Sequence, residues 1–318
     1  MVTLPRIAPI LASPGALPAR QAEHLWSTES KYDGQRAILY VPGDNTVVLR
    51  SRSGADITAA YPELHALAGA LRGPALLDGE IIAPDAAGRP DFEKLQARMG
   101  LSASPAKAAR LAAQIPAHLV LFDVMHLDGR DLTWWPYSDR RQALEDLELH
   151  GCHWSTPAVT VGHCHEAFEL TRTHEWEGIV LKRRDSVYEP GTRSRSWAKI
   201  RHIRVADCVI GGWVPGRGSL SGLPGAVLVG EADGEGTLRY IGSVGTGWTT
   251  RDRTGLARLL RVATIPDCPF AALPPVPGAL WVLPRLVGEV RYATRTEAGL
   301  LRHPSWHRLR PDLAPGDT

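Results

Sequence analysis

Residues 31–54 read KYDGQRAILYVPGDNTVVLRSRSG, and how this stretch folds decides the rest. From Arg36 onward, two runs rich in β-branched and aliphatic residues flank Pro42-Gly43-Asp44-Asn45, a tetrad suited to a tight turn, so a hairpin is expected over 36–53. Lys31 then stands just before a strand. The hexapeptide Lys31 to Arg36 gathers an amine, a carboxylate two residues on, a glycine that lets backbone approach a ligand closely, and an arginine beyond it. Such a bend can combine a nucleophile with an anion clamp; alone, it could equally be a surface turn.

Composition sharpens the interest in Lys31. The chain has 318 residues, 44% of them hydrophobic, and a net charge of +2. That length suits two domains with real cores. The near-zero charge announces no polyanionic partner, so any nucleic-acid surface must be a local concentration of arginine. Of 36 basic residues only Lys31, Lys94, Lys107, Lys182 and Lys199 are lysine. Arginine keeps its proton at usable pH, whereas a desolvated lysine can act as a free amine. Retention at a few places therefore marks candidate chemistry, with Lys107 and Lys94 assigned to the surface. Four cysteines, Cys152, Cys164, Cys208 and Cys268, form no C-x-x-C pair, which argues against a disulfide framework or thiolate zinc site. No run approaches the ~20 apolar residues of a membrane span, and the expected location is cytoplasmic, nucleoid-associated.

Outward from Lys31, Tyr61, Leu64, Leu67, Ala68 and Leu71 recur at helical spacing, and Gly73-Pro74 should stop that helix. The apolar runs Ala75 to Ala83, His118 to Val124 and Gly178 to Leu181 are short enough for buried strands. Asp91 caps a short amphipathic helix with Phe92, Leu95 and Met99 on one face; further helices fit Ser138 to Leu149 and His165 to Glu175. This mixture is α+β. Beyond about Ile203 the pattern changes. Cys208 to Trp213, Ala226 to Glu231, Leu238 to Val244, Leu280 to Leu283 and Val287 to Tyr292 read as five short strands, with one helix striped by Leu256, Leu259, Leu260 and Ala263. That inventory, in roughly 110 residues, is what a small OB-type barrel requires. The domains are expected at 1–203 and 204–318.

Other segments supply partners for Lys31. Asp78 and Glu80 lie on one face of an apolar strand, where buried carboxylates must be paired or bound to metal. Glu177 and Lys182 bracket another strand; strict alternation would turn them to opposite faces, so both reach one pocket only with a bend at Gly178. Trp197, Lys199 and Arg201 share a face, and the two cations suit a phosphate.

In this order and spacing the segments resemble the nucleotidyltransferase motifs of ATP-dependent DNA ligases. Lys31, Asp33, Gly34 and Arg36 meet a KxDGxR pattern; Ser51-Arg52-Ser53-Gly54, Asp78-Gly79-Glu80, Phe122-Asp123, Glu177-Gly178 with Lys182, and Lys199 with Arg201 resemble the motifs that follow. Phe92 to Arg98 is similar to a helix characteristic of DNA ligases. Leu301 to Asp312 looks like the C-terminal motif of bacterial end-joining ligases and their stand-alone relatives, although Leu313 stands where lysine is common.

The resemblance implies a nucleotidyltransferase (adenylation) domain followed by an OB-fold, ATP and Mg2+ or Mn2+ as cofactors, and a lysyl-AMP intermediate on Lys31. It implies that Lys182, Lys199 and Arg201 act on phosphate oxygens, that Glu80 and Glu177 hold metal, and that Arg36 and Arg52 belong to the nucleotide site. Glu80 is also expected near the ribose, Glu29 at adenine, and Phe122 stacked on it. The cations of the C-terminal motif are expected to orient pyrophosphate. The expected partner is nicked double-stranded DNA, gripped by arginines such as Arg193, Arg195, Arg217, Arg251 and Arg253, with Ku or other repair proteins compensating for a minimal architecture. About 25 residues precede the core, so no separate N-terminal DNA-binding domain is expected; the enzyme is read as a monomer. The rival readings are an RNA ligase or GTP-using capping enzyme, disfavoured by the Phe92 helix and the C-terminal motif, and a catalytically silent OB-containing nucleic-acid-binding module.

Overall fold

The computed structural model describes residues 4–174, 176–232, 237–296 and 298–318. The chain divides between Arg201 and His202 into two compact units. The first contains β1 (Leu11–Pro14), β2 (Trp26–Ser30), β3 (Gln35–Val41), β4 (Val48–Ser51), β5 (Ala75–Ile82), α1 (Phe92–Gln96), α2 (Pro105–Gln114), β6 (His118–Leu127), β7 (Arg130–Asp131), α3 (Tyr137–Glu145), β8 (His150–Gly151), β9 (Trp154–Ser155), β10 (Thr160–Val161), α4 (Cys164–Thr173), β11 (Gly178–Arg183) and β12 (Arg193–Arg201). They form two sheets, one ordered β4-β3-β5-β6-β9-β8 with β7 on β6, the other β1-β12-β11-β2-β10.

The larger sheet is buried on both faces. Period-2 alternation sends Ala37, Leu39, Val41, Leu77 and Leu121 into one core with Tyr61, Leu64 and Leu67, and Ile38, Tyr40, Leu76 and Phe122 into a second with Tyr188 and Trp197. This explains why β5 and β6 are nearly continuous apolar runs. The expected 36–53 hairpin forms, with Tyr40 paired to Val48 and Ala37 to Ser51, and Gly43 and Asn45 take the left-handed conformation in its turn.

Several expectations needed adjustment. The segment expected as a helix around residues 61–71 winds as a tighter 3-10 helix, Pro62–Ala70. Asp91 does cap α1, accepting from the Lys94 amide, but α1 is only five residues long. Glu175, the expected end of α4, lies outside the described residues. Alanine-rich α2 escaped the sequence reading because its apolar face is mostly alanine, with Ala108 as its only buried residue.

The second unit contains β13 (Arg204–Pro215), β14 (Pro224–Ala232), β15 (Leu238–Val244), α5 (Thr250–Val262), β16 (Thr264–Ile265), β17 (Leu280–Tyr292) and β18 (Ser305–Leu309). Its strands run β15-β14-β13-β17-β16, with β18 also on β17. Leu280 to Leu283 and Val287 to Tyr292, expected as separate strands, are one strand: β17 pairs with β13 across a register shift between Ile210 and Gly212. Such an irregularity bends a sheet without ending a strand. The curl returns to β15, whose Ile241 carbonyl accepts from the Leu301 amide at 2.7 Å. Leu256 and Leu260 of α5 are buried with Ile210, Val229, Ile241 and Trp306, and a Thr249–Asp252 capping box starts that helix. No helix among the described residues is long and apolar enough to cross a membrane.

Candidate active site

A cavity of about 630 Å³ opens within the first unit. Its lining includes Glu29, Lys31, Arg36, Arg52, Glu80, Phe122, Lys182, Lys199 and Arg201, together with Trp197 and Arg193. The smaller sheet supplies much of it through register. Glu29 of β2, Val180 of β11 and Lys199 of β12 lie in one row. In the next rows Lys182 pairs with Trp197 and Gly178 with Arg201. The larger sheet contributes Arg36 opposite Glu80.

Lys31 occupies the link between β2 and β3. Its amide donates to the Gly178 carbonyl at 2.9 Å, and its Nζ is hydrogen-bonded to Glu177 Oε2. Gly34 is required in this link, because a Cβ there would sit 2.2 Å from the Ile81 carbonyl oxygen. Gly178 supplies the anticipated bend. Its φ of 143° is unfavourable for other residues, and a Cβ would lie 2.1 Å from the Ile200 carbonyl oxygen. Glu177, just before the bend, thereby reaches Lys31 while Lys182 reaches the cavity from within β11. Both Glu177 oxygens are engaged, Oε2 by Lys31 and Oε1 by Arg201 Nε at 2.8 Å.

The cations fall into two groups. Lys182 is 1% exposed; its Nζ lies 2.7 Å from Glu29 Oε1 and donates to the Phe122 carbonyl at 3.0 Å. It also sits 4.0 Å from the Trp197 ring centroid and 4.4 Å from that of Phe122. Burial pushes its pKa down, against the pull of Glu29 and Asp123. Arg36 is clamped by buried Asp78, Nε to Oδ1 at 2.6 Å and Nη2 to Oδ2 at 2.7 Å, with its guanidinium 4.6 Å from the Phe122 centroid. Burial works against that charge, yet Asp78 holds Arg36 more firmly protonated than usual. Lys199 and Arg52 line the same cavity with no acidic partner among the described residues. Burial, then Arg201, Arg193 and Lys31, lower the pKa of Lys199.

Asp78 and Glu80 share a face but not a role. Asp78 is fully buried and accepts a third hydrogen bond from Tyr188 Oη at 2.6 Å. Partly exposed Glu80 lines the cavity and makes no hydrogen bond or ion pair among the described residues. Burial, opposed by Arg36 and Lys31, raises its pKa to about 7. No cluster of three His, Cys, Asp or Glu side chains able to hold a metal occurs among the described residues. Glu80 still fits a divalent cation that takes its remaining ligands from nucleotide phosphates, the usual habit of Mg2+. Glu177 would have to release Lys31 or Arg201 to join it.

Three residues escaped the sequence reading. Tyr188 buttresses Asp78, Tyr137 donates to Glu29 Oε1, and Arg140 clamps Asp123, the neighbour of Phe122, in a fully buried pair. Tyrosine and arginine at such spacing give no periodic signal, so long-range pairs of this kind are visible only in the fold. In the C-terminal motif Arg308 pairs with Glu289 and Arg310 with Asp207, Glu289 and Asp312, while His307 Nε2 lies 3.3 Å from Glu289 Oε1.

The profile of the "ATP dependent DNA ligase domain" family matches residues 9–201. The chain belongs to the ATP-dependent DNA ligase family. A second profile, the "ATP dependent DNA ligase C terminal region", matches residues 221–313, so the two units of this ligase are an α+β adenylation domain and an OB-fold domain. The multifunctional non-homologous end joining DNA repair protein LigD of Mycobacterium tuberculosis is 39% identical over 98% of this chain, which spans only 39% of that protein's length. DNA ligase C1 of Mycolicibacterium smegmatis is 36% identical over 79% of this chain and 72% of its own. Among solved structures, mycobacterial DNA ligase D complexed with ATP and MES matches 98% of this chain and 97% of its own with a TM-score of 0.57 at 37% identity.

Proposed function

We propose that this ligase seals 5′-phosphate/3′-hydroxyl nicks in double-stranded DNA through a covalent lysyl-AMP intermediate on Lys31, in DNA repair of the end-joining kind. The observation that carries the reading is the Lys31 amine, placed at a cavity among Lys182, Lys199 and Arg201 with its Nζ on the Glu177 carboxylate. In the first transfer Lys31 Nζ forms a bond to the α-phosphorus of ATP, the bond to pyrophosphate breaks, and Glu177 Oε2 receives the amine proton. A 5′-phosphate oxygen of the DNA then displaces the lysine, whose amine regains a proton. Finally the 3′-hydroxyl oxygen forms a bond to the activated 5′-phosphorus, the bond to AMP breaks, and the hydroxyl proton passes to solvent.

Negative charge builds on nonbridging oxygens in each step, and fixed cations aimed at them lower the barrier. Lys199, already without a carboxylate partner, takes that role together with Lys182, Arg201 and Arg52. Phe122 supplies a surface for the base and Glu29 an acceptor for its edge. Mg2+ or Mn2+, held by Glu80 and Glu177 with phosphate oxygens, would supply further neutralising charge.

Duplex DNA would be held through phosphate contacts, independent of sequence and sensitive to salt. Arg195, Arg217 and Arg251 are exposed and suited to this. Arg253 is not, since it donates to the Pro224 and Gly225 carbonyls and packs against Trp248. A partner such as Ku, holding DNA ends, would present them to this ligase.

Incubation with α-labelled ATP and a divalent ion, followed by a denaturing gel, tests the central claim. Wild type and Lys107→Ala retain label, the latter because Lys107 is exposed on α2; Lys31→Ala and Lys31→Arg do not. A labelled Lys31→Arg protein would sink the assignment.

A further inference from the structure

One helical turn holds both sides of the region where the base is read. Tyr137, the first residue of α3 and fully buried, donates its hydroxyl to Glu29 Oε1. Arg140, one turn on, clamps Asp123 with Nε to Oδ1 at 2.8 Å and Nη2 to Oδ2 at 2.9 Å. Its Nη1 also donates to the carbonyls of Trp135 and Ser186, so the turn itself is anchored. Asp123 adjoins Phe122, and Glu29 and Phe122 both line the cavity.

The two oxygens of Glu29 are not equivalent. Oε1 receives both Tyr137 and Lys182 Nζ; Oε2 accepts no hydrogen bond among the described residues. A carboxylate gripped twice at one oxygen presents the other in a fixed direction. Such an acceptor matches the N–H of a 6-aminopurine. A 6-oxopurine brings lone pairs against the same charge, and a buried polar group left unmatched is costly.

We propose that Tyr137 is the positioning residue for nucleobase selection: by fixing Glu29 it makes this ligase accept a 6-aminopurine nucleotide and reject a 6-oxopurine one. This rests on the reading of Glu29 as the acceptor for the base edge. Without the tyrosine hydroxyl, the carboxylate is tethered at Oε1 by Lys182 alone and can turn, so the penalty against the 6-oxo base falls while the catalytic lysines stay in place.

The test compares kcat/KM for lysyl-nucleotide formation with α-labelled ATP and ITP in the full chain, for wild type, Tyr137→Phe and Glu29→Gln. Tyr137→Phe keeps the ring, which lies 5.0 Å from Lys182 Nζ, and is expected to lower the ATP-over-ITP ratio at least about tenfold, the lower edge of what one charge-assisted hydrogen bond contributes. Equal losses on both nucleotides would show a merely structural role and overturn the proposal. A lowered ratio in Glu29→Gln with an unchanged ratio in Tyr137→Phe also overturns it, leaving the Glu29 reading intact. Unchanged ratios in both variants would remove the Glu29 reading itself. Should the Phe variant prove insoluble, Tyr137→His, which retains a ring N–H donor, is expected to give an intermediate ratio; an unchanged or equally lowered pair of rates there counts against the proposal.

Discussion

Replacing Asp78 by asparagine removes one negative charge at the point where the two sheets of the adenylation domain meet. Asp78 is 0% exposed and accepts three hydrogen bonds, from Arg36 Nε at 2.6 Å, Arg36 Nη2 at 2.7 Å and Tyr188 Oη at 2.6 Å. Asparagine fits the volume but offers one acceptor oxygen, and its NH2 group must face a donor. At least one charge-assisted bond is lost, each contributing about 1.5–3 kcal/mol, and the Arg36 guanidinium keeps its desolvation cost without a compensating charge. Breaking a pair of this kind costs about 3–5 kcal/mol, a large part of the 5–15 kcal/mol typical of a whole domain. Urea unfolding should show a lowered midpoint with an unchanged slope, and hydrogen exchange should accelerate in β3 and β5. Because Arg36 packs on Phe122, ATP affinity should fall in parallel. A loss below about 1 kcal/mol would refute the reasoning, as would strict additivity of Asp78→Asn with Arg36→Met, since paired residues must couple.

Glu80 sets a pH dependence. Burial raises its pKa to about 7, so the folded protein binds a proton that the unfolded chain has released, and the stability contributed by this group falls as pH rises from the ordinary carboxyl value through about 7. Glu80→Gln should therefore raise Tm relative to wild type at pH 8, with the gain shrinking toward pH 4.5; a pH-independent difference would exclude ionisation of Glu80 as the cause. Gly178→Ala places a methyl 2.1 Å from a carbonyl oxygen at an unfavourable φ, so it should destabilise the domain by about 1–3 kcal/mol. It should also slow adduct formation more than it weakens ATP binding, because the Lys31 amide is anchored on Gly178; single-turnover labelling across ATP concentrations separates the two effects.

Much of this arrangement was legible in the chain because it is local. The Lys31 to Arg36 bend, the hairpin after it and the shared face of Trp197, Lys199 and Arg201 follow from turn chemistry and period-2 alternation. What could not be read is where a carboxylate spends its charge. Asp78 and Glu80 look alike in sequence, yet Asp78 is consumed by Arg36 and Tyr188 while Glu80 faces the cavity, a difference fixed by a tyrosine 110 positions away in the chain. Glu177 likewise faces Lys31 only because Gly178 bends the backbone. The 3-10 winding over Pro62–Ala70 and the unbroken β17 were misread for a related reason: hydrophobic spacing reports which side is buried, not how tightly the chain winds or whether a strand survives a bulge.

The row formed by Glu29, Val180 and Lys199 also limits how the gene can drift. Side chains on a strand change face with each residue, so losing or gaining one codon within β2 would turn Glu29 out of the cavity, and one within β12 would put apolar Ala198 or Ile200 in the place of Lys199. Length changes are therefore expected to accumulate in exposed connecting loops such as 84–90, while these strands keep their length even where most of their side chains are exchanged.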